Sequence, residues 1–310
     1  MVQHPALATR EPGRVSETIP VLVNAGGGTA AAKGDGLRDA LEKAFAEVGL
    51  AVDLQLLEGE QMQAAVEKAA GAPLVVVGGG DGTLGSAAGA LAEAGSALGI
   101  LPLGTRNHLA RELGIPLDIP GGAKLIAEGP RRRIDLARVN GEVFVNNASI
   151  GLYPDMVEER DELALPKKLA AMPAAFAALK RMRHRRLHLQ MPGEDRQIVT
   201  PMLFVGNNRY VLDAGKLGQR EALDDGVLSV YAVASRRRLA LLGFAVRALL
   251  GRADPERDFA AIGDVPQLCV RGPGDDVHIA LDGEVRALAA PLEFSIAPKA
   301  LSVIAPAGGS

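Results

Sequence analysis

A chain of 310 residues exceeds the ~100–200 residues of a usual single domain, so its length predicts two domains. With 34 Lys and Arg against 37 Asp and Glu, the formal net charge is −3, which argues against a polycationic nucleic-acid binder. Hydrophobic residues make up 48% but aromatics only 3%, so cores must rest on Val, Leu, Ile and Ala, and the one cysteine, Cys269, supports neither a disulfide framework nor a cysteine zinc site.

In chain order, Met1–Ser16 is polar, with no apolar run, and does not read as a secretory signal peptide. Ile19–Val23 is a short apolar strand ending in Asn24 and Gly26–Gly28. Gly36–Val48 has helical spacing, with Leu37, Leu41, Ala44, Phe45 and Val48 on one face. Ala51–Leu57 reads as a strand, Gln61–Ala70 as a helix, and Leu74–Val77 as a β-branched strand cut off by Gly78–Gly80. Leu84–Ala94 is helical again; Ala97–Leu103 is a strand, followed by Gly104-Thr105 and a helix near His108–Leu113. This alternation predicts a mostly parallel sheet with helices on both faces.

The second half changes character. Asn140-Gly141, between the strands Ile134–Val139 and Glu142–Ile150, is a two-residue hairpin signal, and Asp282-Gly283 is another. Ile198–Val205, Val227–Val233, Gln267–Val270, Val277–Leu281 and Leu292–Ile296 read as short strands, and Pro166–Arg186 and Arg236–Gly251 as helices. The expectation is an α/β domain over residues 17–134, completed by 301–306, and an antiparallel β-sandwich over residues 135–300. The longest apolar run, Leu239–Leu250, is interrupted by Arg247 and falls short of the ~20 residues needed to cross a bilayer. The basic clusters Lys180–Arg186 and Arg236–Arg238 adjoin apolar helical faces, a pattern that suits either an anionic membrane surface or a solvated helix face.

The sharpest chemical signal is Leu74-Val-Val-Val-Gly-Gly-Gly-Asp-Gly-Thr83: a buried strand, a loop almost without side chains, then a helix. Glycines let backbone N–H groups approach phosphate oxygens, and the helix start offers its positive end to the same anion. Thr83 adds a hydroxyl. Asp81 beside phosphates calls for a cation, which Mg²⁺–nucleotide would supply; its alternative role is a helix cap. The loop is not a Walker A sequence, because no Gly-Lys-Ser/Thr follows the glycines. Asn24-Ala-Gly-Gly-Gly-Thr29 and Leu103-Gly-Thr-Arg-Asn-His108 also follow strands, and loops at the carboxyl ends of parallel strands converge on one crevice.

These loops, with Asp135-Leu-Ala-Arg-Val-Asn-Gly-Glu-Val-Phe-Val-Asn-Asn147, Val205-Gly-Asn-Asn208, Leu223-Asp-Asp-Gly226 and Leu281-Asp-Gly-Glu284, resemble the diacylglycerol kinase catalytic family. That superfamily also holds sphingosine and ceramide kinases. The resemblance runs in order from about Val21 to Ile304. It implies an ATP-binding domain like those of phosphofructokinases and NAD kinases, a β-sandwich lipid domain, and an active site in the cleft between them.

Carried onto this chain, the resemblance implies that Gly79, Gly80, Asp81, Gly82 and Thr83 hold the ATP phosphates, with Asn24 and Thr105 beside them. It implies that Glu284 is the general base, with Asp81 a rival for that role. It also implies a structural Mg²⁺ on Asp225 and the carbonyls of Ala222 and Val227. The implied reaction is transfer of the ATP γ-phosphate to a lipid hydroxyl, by a cytoplasmic protein that meets the inner membrane face peripherally. A homodimer is a possible assembly. The chain departs from the family pattern at Ala25, in place of Pro, at Gly85-Ser86, in place of Asn-Glu, and at His108, in place of Asp. An NAD kinase-like activity and a non-catalytic nucleotide or lipid sensor are the alternative readings.

Overall fold

The computed structural model describes residues 18–26, 30, 34, 36–151, 184–211, 220, 222–233, 259–272 and 274–307. Thr29 and the predicted helices Pro166–Arg186 and Arg236–Gly251 lie outside these residues, save for His184–Arg186.

The first half follows the predicted alternation: β1 (Ile19–Asn24), α1 (Gly36–Glu47), β2 (Val52–Leu57), α2 (Gly59–Ala69), β3 (Leu74–Gly79), α3 (Asp81–Ala94), β4 (Ala97–Pro102), α4 (His108–Glu112) and α5 (Ile119–Glu128). Strands β2, β1, β3 and β4 pair in parallel, in that order. Val75, Val76 and Val77 of β3 are fully buried, as expected for a parallel strand covered on both faces. Their alternation separates two cores. Val75 and Val77 pack with Met62 and Val66 of α2 and Leu84 and Leu91 of α3. Val76 faces Leu41 and Phe45 of α1 and Ile119 and Ile126 of α5.

The second half is antiparallel: β5 (Arg131–Val139), β6 (Glu142–Phe144), β7 (Asn147–Gly151), β8 (Arg185–Met191), β9 (Glu194–Thr200), β10 (Met202–Asn207), β11 (Leu228–Val233), β12 (Phe259–Val265), β13 (Gln267–Arg271), β14 (Asp276–Leu281), β15 (Glu284–Ala289) and β16 (Leu292–Ile304). Six of these strands form one sheet, in the order β12-β11-β10-β7-β14-β15. The others extend the parallel sheet. Ser302 and Val303 of β16 pair in parallel with Ala97 and Leu98 of β4, while its first half pairs antiparallel with β13. Strand β5 runs along nearly all of β16, from Phe294↔Val139 to Ile304↔Arg131. One sheet therefore serves both halves of the molecule, and the step from residue 134 to 135 falls inside β5. The sandwich core joins the two sheets: Val139, Phe144, Leu189 and Phe294 from the long one, and Ile150, Val205, Val230 and Ile279 from the short one.

Both predicted hairpin turns form with the left-handed backbone that a two-residue turn requires: φ is 48° and 89° at Asn140-Gly141, and 49° and 92° at Asp282-Gly283. Three sequence expectations need correction. Glu142–Ile150 is not one strand; it breaks at Val145-Asn146, and β6 and β7 belong to different sheets. Ile198–Val205 is divided at Pro201, which has no N–H for a ladder, into β9 and β10. Arg185 and Arg186 are not helical; they open β8, opposite Thr200 and Val199.

Candidate active site

The phosphate-loop candidate sits where β3 turns into α3. Gly80 is the helix N-cap, in extended conformation (φ −93°, ψ −176°), and no side chain caps the helix. The N–H groups of that first turn are left for an external acceptor. None of Gly78, Gly79, Gly80 and Gly82 has positive φ; at Gly78 and Gly79 it is space that calls for glycine. A Cβ on Gly79 would lie 2.7 Å from the Cβ of Thr83, and one on Gly78 would lie 2.8 Å from Val23 Cγ2. A Cβ on Gly104 would strike the Cα of Gly80, so the loops after β3 and β4 touch backbone to backbone.

Neighbouring loops are tied to this one. Asn24, ending β1, donates from Nδ2 to Thr83 Oγ1 at 3.2 Å and accepts from Gly26 N at 3.1 Å. Asn107 is buried and left-handed (φ 52°, ψ 48°). Its side chain accepts from Gly104 N at 2.9 Å and donates to the Gly104 carbonyl at 3.0 Å, which leaves Thr105 exposed at the loop tip. The Asp81 carboxylate turns toward α4, accepting from His108 N at 3.1 Å and Leu109 N at 3.0 Å. Of its two readings, the geometry matches a cap, though on α4 and not on the helix that Asp81 begins.

Glu284 arrives from the opposite half of the molecule. A Cβ on Gly82 would run into its Oε1. One helical turn further along α3, a Cβ on Gly85 would lie 2.6 Å from Asp282 Oδ2, and one on Gly89 would lie 3.0 Å from Val143 Cγ2 of β6. Gly82, Gly85 and Gly89 thus form a side-chain-free stripe on which the β14–β15 turn and β6 rest. Their i, i+3, i+7 spacing was visible in the sequence, but only the fold shows what it receives. Glu284 is exposed, with Arg286 Nη2 at 3.7 Å; Arg286 also pairs with Glu142 at 2.7 Å.

Asp282, on the same turn as Glu284, points inward. Its carboxylate accepts from the N–H groups of Val145 (2.8 Å), Asn146 (2.7 Å) and Asn147 (3.1 Å). These are the residues that break β6 from β7. Burial pushes the carboxyl up to about 6, against the opposing pull of those three N–H groups and of Arg220. Beside it, Tyr210 donates to the Asn146 carbonyl at 3.1 Å, and burial pushes its hydroxyl far above the usual range. Sequence reasoning missed this buried network, because no local spacing joins Glu112, Asn146, Tyr210, Arg220 and Asp282.

The metal expectation stands apart from this cleft. Asp225 is exposed, and the Val227 carbonyl already accepts from Asn208 N at 2.9 Å. The turn is held by the buried Asp135, which accepts from Gly226 N at 2.7 Å and Lys299 N at 2.6 Å. Among the described residues, no group of three His, Cys, Asp or Glu side chains could hold a metal.

Residues 18–139 match the diacylglycerol kinase catalytic domain family. A Pseudomonas aeruginosa protein named "Probable lipid kinase YegS-like" is 34% identical over 256 residues, which span 77% of this chain and 79% of that one. The chain belongs to this lipid kinase family. An uncharacterized Synechocystis protein is 27% identical over 253 residues, and the match spans 56% of its length. A Bacillus anthracis diacylglycerol kinase structure superposes over 94% of this chain and 98% of its own, with TM-score 0.66 and 21% identity, a likeness of fold. Among the described residues of this family member, no helix is long and apolar enough to cross a membrane.

Proposed function

We propose that the protein transfers the γ-phosphate of ATP to a hydroxyl of a lipid such as diacylglycerol or a sphingoid-like alcohol. The observation that carries this reading is the contact of Glu284 with Gly82, which puts an exposed carboxylate from the β-rich half against the anion-binding end of α3. Phosphoryl transfer asks a protein for positioning and charge stabilisation, with one group to take the acceptor's proton. The uncapped N–H groups of Gly80–Thr83 would hold phosphate oxygens. Asn24 orients the Thr83 hydroxyl, and Thr105 stands exposed on the adjoining loop. Mg²⁺–ATP, when bound, supplies the phosphoryl group and the counter-charge. Glu284 would accept the lipid hydroxyl proton. Asp81, with each oxygen engaged by an N–H of α4, holds the loops together.

The test is incubation of purified protein with Mg²⁺ and γ-labelled ATP over mixed micelles of diacylglycerol, ceramide and sphingoid alcohols, with NAD⁺ as a soluble acceptor. Labelled lipid that disappears in Glu284→Gln supports the reading. Label on NAD⁺ alone, or on no acceptor, defeats it.

A further inference from the structure

Between β6 and β7 the chain leaves one sheet and enters the other, so Val145 and Asn146 lie in neither strand. Buried backbone groups there need other partners. Their N–H groups go to Asp282. On the opposite side, the Val145 carbonyl accepts from Arg220 Nη1 at 2.6 Å, and the Asn146 side-chain oxygen accepts from Arg220 Nη2 at 3.0 Å. Arg220 Nη1 also reaches the Asn207 carbonyl at 3.2 Å. The guanidinium is anchored in turn by Glu112, which accepts from Nε at 2.9 Å through Oε2 and from the Arg220 backbone N at 2.9 Å through Oε1. Both side chains are buried, 1% and 9% exposed. Glu112 ends α4, the helix whose first N–H groups Asp81 caps. A line of charge-assisted bonds thus runs from Asp81 through α4, Glu112, Arg220 and the Val145–Asn147 break to Asp282, and it closes where Glu284 meets Gly82.

We propose that Arg220 and Glu112 are a positioning pair that fixes Glu284 relative to the glycine loop. The inference rests on reading Gly79–Thr83 and Glu284 as the kinase site, and neither Arg220 nor Glu112 touches the reacting atoms. The planar fork of Arg220 holds a helix carboxylate and two points of the break at once; a lysine has no such fork. Stability alone does not require the pair, because well-packed apolar residues replace a buried ion pair at little net cost.

That difference supplies the test: thermal melting, steady-state kinetics and amide hydrogen exchange on Arg220→Met and on the double variant Arg220→Met/Glu112→Met. The single variant strands a buried carboxylate and melts lower. The double variant recovers its Tm toward wild type. In it, kcat stays down by about tenfold to a hundredfold with KM for ATP within about twofold, and the amides of Val145–Asn147 exchange about tenfold faster. Recovery of kcat together with Tm would make the pair merely structural and overturn the proposal. If wild-type protein phosphorylates no lipid, the kinase reading falls separately and exchange decides: unchanged protection at Val145–Asn147 overturns the pair's role, and faster exchange upholds it. Should the double variant not fold, Arg220→Lys, which keeps the charge without the fork, carries the same measurements.

Discussion

The Glu284 carboxylate rests against the Cα of Gly82: a methyl group at that position would occupy the space of Oε1. Residues 202 positions apart in the chain thereby share one small volume, at the only end of α3 that can attract an anion. The same helix face receives Asp282 at Gly85 and Val143 at Gly89.

The two glycines should respond differently to a methyl group. Glu284 is exposed and can swing away, so Gly82→Ala is expected to fold with little change in Tm and to lose about tenfold or more in kcat. Asp282 is pinned by three N–H groups and cannot yield, so Gly85→Ala is expected to lower the Tm by several degrees. Melting curves and initial rates on the two variants check this contrast; equal Tm losses would contradict it.

Glu284→Gln and Asp81→Asn separate the two candidate bases. Removing the proton acceptor costs about 10²–10⁴-fold in kcat. Asp81→Asn keeps an acceptor for one N–H of α4 and is expected to retain measurable turnover, with a stability loss of about 0.5–2 kcal/mol from the weakened cap. Lipid phosphorylation rates and urea midpoints read both effects, and a larger kcat loss in Asp81→Asn would reverse the assignment.

Asp282 predicts a pH dependence of stability. Its folded value of about 6 lies above the ordinary 3.8, so the folded chain holds this proton more tightly than the unfolded chain does. The contribution is fully present below about pH 4, falls as pH rises toward 6, and stays lost above it. At most about 3 kcal/mol is involved. Urea unfolding at pH 4.5 and 7 should show a smaller pH difference in Asp282→Asn than in wild type; identical differences would remove this carboxyl from the account.

Asn107 predicts a binding defect. Its side chain holds the loop after β4 in a left-handed turn, so Asn107→Ala should loosen that loop and raise KM for ATP by about threefold to tenfold, with kcat less affected. Nucleotide titrations by intrinsic or dye fluorescence would register it. A change confined to kcat would argue against the loop's part in nucleotide binding.

Much of the architecture was legible along the chain because it is periodic. The β-branched run Leu74–Val77 with its glycines, the apolar face of Gly36–Val48, and the Asn-Gly and Asp-Gly hairpins each carry their structure in a few neighbouring residues. The missed features were those whose cause lies far away in the chain. Nothing within Glu142–Ile150 signals a break at Val145-Asn146, since its partner, Asp282, comes 136 residues after Asn146.

By itself the sequence determined a parallel α/β half, a β-rich half and a glycine loop suited to phosphate, because backbone conformation and apolar periodicity are local properties. Only the tertiary structure decided that Asp282 turns inward and Glu284 outward on one hairpin, that Asp81 is spent on the start of α4, and that Arg220 meets Glu112. Those outcomes depend on which buried N–H and C=O groups remain unpaired once two sheets are joined, and that is settled only when distant strands come together.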